Sequence, residues 1–93
     1  MIDVAAAIPS VVTRLTGTPV GHYLELKTYK KDRSIKIVMI SEEELLIIED
    51  GFVKERFQVE VGKVRKALKC LIKKEFPRSN KAHLYSGKFE QEI

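Results

Sequence analysis

The sequence predicts an α+β domain: a four- or five-stranded antiparallel β-meander with one long amphipathic helix on one face and a short N-terminal helix. Three observations predict it. In Val59 to Phe76, VEVGKVRKALKCLIKKEF, the residues Val61, Val64, Leu68, Leu71 and Ile72 recur at three- and four-residue spacing, so they share one helical stripe. Before that stretch, four strand-like segments follow one another through short turns, as antiparallel neighbours do. The chain has 93 residues, 44% of them hydrophobic, which suits a single domain with a modest core.

Taken in order, residues 1–20 read as an N-terminal helix and loop. Val4, Ile8, Val11, Val12 and Leu15 fall at roughly helical spacing, with Asp3 as a candidate cap. Pro9 either kinks that helix or opens it, so the reading is a short helix from about Pro9 to Leu15, with a further turn before it as the alternative. TGTPVG, Thr16 to Gly21, has loop composition.

His22 to Lys30 alternates, with Leu24, Leu26 and Thr28 on one face and Tyr23, Glu25, Lys27 and Tyr29 on the other. Lys31-Asp32-Arg33 makes a turn. Ser34 to Ile40 then sets Ile35, Ile37 and Met39 against Lys36, Val38 and Ile40. Past Glu42-Glu43, the apolar run Leu45 to Ile48 fits a strand buried at least partly on both sides. Glu49-Asp50-Gly51 is a tight-turn signal. Phe52 to Val59 alternates again, Val53, Phe57 and Val59 opposite Lys54, Arg56 and Gln58.

The long helix lacks a capping residue at its start and has Gly62 in its first turn, which weakens that end. Its other end is sharper, because Pro77 pushes Phe76 out of helical geometry. Lys63, Lys66, Lys69, Lys73 and Lys74 lie opposite the apolar stripe. PRSNK, Pro77 to Lys81, is a loop. Ala82 to Ser86 offers a last strand with either Ala82 and Leu84 or His83 and Tyr85 inward, and residues 87–93 read as a flexible tail.

Seventeen Lys and Arg against 13 acidic residues give a net charge of +4, a weak bias toward anionic partners. One cysteine excludes an internal disulfide, and with two histidines it makes no metal-ligand cluster. The sequence has no membrane-length apolar run and no signal peptide, so a cytoplasmic protein is expected. With 32% charged residues but one Asn and two Gln, the composition suits a heat-adapted source. It has no nucleophile elbow, phosphate-cradling glycine loop or metalloprotease motif. The expectation is a non-enzymatic protein without a cofactor.

The strand faces carry the functional reading. If the long helix covers Leu24, Leu26, Ile35 and Ile37, the opposite face displays Tyr23, Lys27, Tyr29, Lys36, Lys54 and Arg56, with Phe52 as a candidate neighbour. Aromatic rings stack on unpaired bases, and nearby cations neutralise phosphates. A solvated sheet face with tyrosines at favoured strand positions would look the same. Arg78, Ser79, Asn80 and Lys81 could hold phosphate oxygens or simply form a polar loop. Cys70 lies on the lysine side, where ammonium groups favour a thiolate; alternatively it is a small residue covered by the N-terminal helix or a partner chain.

The order of a β-meander, an amphipathic helix ending in KKEFPRSNK and a strand-like HLY resembles the ThermoDBP-related proteins of thermophilic archaea. The resemblance covers about Tyr23 to Tyr85 and rests on EFPRS, the meander and the composition. These are small, basic, single-stranded nucleic-acid-binding proteins with a sheet packed against helices. The resemblance implies single-stranded DNA or RNA held in a groove between sheet and helix. It suggests Phe57 and Phe76 as groove aromatics, and Arg78 and Lys81 as backbone contacts. Periodicity instead puts Phe57 and Phe76 in the core.

The sequence reading is therefore sequence-tolerant binding of single-stranded nucleic acid through Tyr23, Lys27, Tyr29, Lys36, Lys54, Arg56, Arg78 and Lys81. The alternative is a protein-interaction or self-association module built on Val38, Ile40 and Leu45 to Ile48. Under either reading, apolar positions exceed what one helix covers, which predicts a homodimer.

Overall fold

A computed structural model describes residues 2–28, 30, 32–51, 54–76 and 81–88. The elements are β1 (Ile2–Asp3), α1 (Val4–Leu15), β2 (His22–Thr28), β3 (Ser34–Met39), β4 (Glu44–Asp50) and β5 (Lys54–Glu60). A 3-10 turn at Val61–Lys63, α2 (Val64–Glu75) and β6 (Lys81–Lys88) follow. Among the described residues six strands form one antiparallel sheet in the order β1-β6-β2-β3-β4-β5.

The α+β class and the β2–β5 meander agree with the sequence. Both helices lie on one face. Leu24, Leu26, Ile35, Ile37, Met39, Leu45 and Ile47 meet Ala7, Val11 and Leu15 of α1, and Val64, Leu68 and Leu71 of α2, with Phe76 closing the end. Arg65, Lys66, Lys69, Cys70, Lys73 and Lys74 face outward. None of the helices among the described residues is long and apolar enough to cross a membrane.

Four expectations are corrected. The sheet has six strands, because a short β1 pairs Ile2 with Ala82 and Asp3 with Lys81. A two-residue ladder leaves no periodic trace in a sequence. The segment 87–88, expected to be loose, belongs to β6, which pairs with β2 from His22↔Lys88 to Thr28↔Ala82. Seven consecutive partners on β2 hold those residues, whatever the glycine at 87 costs locally.

The third correction concerns α1, which starts at Val4 and runs through Pro9. The missing proline N–H costs one helical bond. Packing of Ala7, Val11 and Leu15 into the core, flanked by Val4, Ile8 and Val12, offsets it. Asp3 occupies the N-cap position but makes no side-chain cap bond. Its carboxylate pairs instead with the Lys81 ammonium across β1 and β6. Fourth, α2 begins at Val64, since Val59 and Glu60 complete β5 and Gly62 lies in the 3-10 turn.

The C-terminal end of α2 is pinned by polar groups. The Arg33 guanidinium donates from Nη1 to the Glu75 carbonyl at 3.1 Å, satisfying one of the acceptors a helix end leaves open. Glu75 itself is fully buried, as is Glu49 to within 2% of its surface. The Lys74 ammonium lies 3.2 Å from Glu49 Oε2. That contact is an ion pair without a directed hydrogen bond, because the oxygen accepts none. The Glu49-Asp50-Gly51 signal is thus part strand. Asp50 still pairs with Lys54, so the ladder runs on to the residue before Gly51; residues 52 and 53 lie outside the described residues.

Candidate nucleic-acid interface

The helices cover one side of the sheet, and strand alternation sends every second side chain to the other. On that open face one row across the strands reads Tyr85, Glu25, Lys36, Ile48, Arg56. A second reads Gly87, Tyr23, Val38, Leu46, Gln58, and a third His83, Lys27, Ser34, Asp50, Lys54.

Tyr23, Lys27, Lys36, Lys54 and Arg56 therefore share the face expected of them. Lys81 starts β6 at its far end, ion-paired with Asp3. Tyr29, Phe52 and Arg78 lie outside the described residues, as do Ser79 and Asn80. Phe76 is 4% exposed in the core, and Phe57 packs against the core from the helix side. Neither ring faces the open side, as the periodicity required.

The aromatic and basic groups are arranged in diagonal pairs. The Lys36 ammonium lies over the Tyr23 ring, 4.7 Å from its centroid. The Lys27 ammonium lies 5.8 Å from the centroid of Tyr85. Each pair joins adjacent strands one row apart, the diagonal spacing that long side chains bridge. His83 stacks on Tyr85, centroids 6.1 Å apart and planes inclined by 25°. Tyr23 is set by Gly87: a Cβ there would come within 3.0 Å of the phenol oxygen and 3.2 Å of ring carbons. The missing side chain lets the ring lie across β6.

Tyr85 and His83 join this face without having been assigned to it from the sequence. AHLYS reads equally well in either parity; Ala82, buried opposite Thr28, settles that Ala82 and Leu84 point inward. Tyr85 remains 38% exposed, the largest exposure of any described aromatic ring. Toward β5 the face carries Val38, Leu46 and Ile48 between the cations. Val38 is buried, while Leu46 and Ile48 are partly exposed. Leu45 and Ile47 turn inward, so only half of the apolar run Leu45 to Ile48 is available on this side.

Electrostatically the face is positive with acidic breaks. Glu25 sits between Tyr85 and Lys36, and Asp50 stands 3.9 Å from Lys54. Both partners of that last pair are exposed, so it holds Lys54 loosely. Cys70 is exposed on α2, away from this face and not covered by α1. Among the described residues no three His, Cys, Asp or Glu gather to hold a metal ion.

No family model matches the chain, and no curated protein or solved structure matches it either.

Proposed function

We propose that the open sheet face binds single-stranded nucleic acid with little sequence preference. The observation that carries this reading is the pairing of two tyrosines with two lysines on adjacent strands, on the face that the helices among the described residues leave open. A base entering over Tyr23 or Tyr85 takes the ring face, and the lysine turns from the ring to the neighbouring phosphate. The exchange is favourable in outline. An exposed cation–π contact is worth about 0.5–1 kcal/mol, while base stacking contributes about 1–3 kcal/mol per base and the phosphate contact adds to it. Arg56 and Lys54 extend the positive track to the β5 side. The resemblance to the ThermoDBP-related proteins points to the same ligand class.

Stacking needs an exposed base, so duplex is the poorer ligand. Fluorescence titration with labelled single strands and duplexes of equal length, at two salt concentrations, tests the proposal. Single strands should bind more tightly than duplex, with affinity falling as salt rises. A chain that ignores single strands at low salt overturns it.

A further inference from the structure

β5 forms an edge of the sheet, and nothing among the described residues pairs with its outer side. The Val61 N–H donates to the Glu43 carbonyl at 2.8 Å, one step beyond the Glu44↔Glu60 pair. In a regular antiparallel ladder the direction of backbone groups alternates. Odd-numbered residues of β5 therefore turn toward β4, and Lys54, Arg56, Gln58 and Glu60 direct their N–H and C=O groups outward. Such a row is a template for another strand.

Two further observations indicate which strand. Phe57 and Val59, on the helix side, remain partly exposed at the margin of the helical layer. On the open face the strand KERFQVE also carries Lys54 and Arg56 at one end and Glu60 at the other, with Glu55 on the helix side. The sheet's other open edge, the part of β6 beyond β1, has His83 and Lys88 and no acidic residue to meet them.

We propose that two copies of the chain join antiparallel along β5, about a two-fold axis at Phe57, merging their sheets into one. That register pairs the whole strand. Lys54 lies opposite the partner's Glu60, Arg56 opposite the partner's Gln58, and the two Phe57 rings meet at the axis on the helix side. Centring on Arg56 instead sets that cation against its own copy, which is destabilising. Centring on Gln58 runs Lys54 past the end of the strand. The present partners of Lys54 and Glu60 are Asp50 and Lys63, each at 3.9 Å and well exposed, so re-pairing costs little. The open faces of both copies become continuous across the seam.

Sedimentation equilibrium of the full chain, from micromolar to several hundred micromolar, should report twice the chain mass. Gln58→Pro removes an outward N–H and no bond to β4, so it should give a folded monomer by circular dichroism and sedimentation. Lys54→Glu places two acids opposite each other at both ends of the seam and should weaken dimerisation about tenfold. The double variant Lys54→Glu/Glu60→Lys should restore it. If Gln58→Pro unfolds, the charge pair decides alone. A wild-type monomer throughout, a dimer indifferent to Lys54→Glu, or a double variant that fails to recover overturns the proposal. Because no nucleic acid is present, the result is independent of the function of the open face.

Discussion

The Glu75 carboxylate occupies the space that a side chain at Gly51 would need: a Cβ there would overlap Oε2. Glu75 ends α2 and Gly51 follows β4, so the contact ties the helix terminus to the sheet. Gly51→Ala should therefore cost about 1–3 kcal/mol through overpacking. At Gly62 an added Cβ meets nothing within 4 Å. Gly62→Ala should be neutral or stabilising by up to about 1 kcal/mol. Urea denaturation of the two variants checks this, and equal effects would show that the Glu75 contact is not restrictive.

The orientation of α2 is tested in the same way. Leu68 is fully buried, so Leu68→Ala should cost about 2–5 kcal/mol. Lys66 is exposed, and Lys66→Ala should change stability by less than about 0.5 kcal/mol.

On the open face, Tyr85→Ala should reduce single-strand affinity by about 1–3 kcal/mol with little change in stability, since the ring is well exposed. Tyr23→Ala should lower affinity and stability together, because its ring also packs on Gly87. Arg56→Ala should weaken binding to all sequences and flatten its salt dependence. Titration paired with thermal denaturation separates these outcomes. Binding unaffected by either tyrosine change would leave charge as its source.

Acid should act through the β2–β3 turn. The Thr28 hydroxyl donates to Asp32 Oδ1 at 2.6 Å, and chiefly this bond, with backbone and Arg33 and Lys30 charges adding to it, holds the Asp32 carboxyl below its ordinary 3.8. A depressed folded-state pKa stabilises the fold above the unfolded value, and the contribution is lost as pH falls through the folded value. Wild type should therefore exceed Asp32→Asn in stability at neutral pH, and their denaturation midpoints should converge in strong acid. A constant difference across pH would remove Asp32 from the acid response.

The sequence disclosed those parts of the fold that repeat a pattern. Leu24, Leu26, Ile35 and Ile37 alternate, and Val64, Leu68 and Leu71 recur at helical spacing, so the meander, α2 and the face carrying Lys27 and Lys36 were readable. Parity at AHLYS was not, because alternation has two phases and only pairing with β2 selects one; Tyr85 was missed for that reason. The length of α1 was hidden by Pro9, whose local penalty is outweighed by long-range packing. Burial of Glu49 depends on Lys74, and the room for Glu75 depends on Gly51. Both partners are remote in sequence and unconnected by any period.

The position of β6 has a consequence for how the chain is assembled. Among the described residues the last strand, β6, lies between β1 and β2, the first two. Until the ribosome has delivered Lys81–Lys88, Ile2 and Asp3 have no neighbour in the sheet, and β2 keeps a bare edge beside the meander. β2 to β5 can zip through near-neighbour hairpins, whereas closure of the first residues onto the last must bridge nearly the entire chain and comes at a greater loop-entropy cost. The early product should therefore be a β2–β5 sheet roofed by α2. Pulse-labelled hydrogen exchange should find β3 and β4 amides protected before those of β6; simultaneous protection would mean that the two ends find each other first.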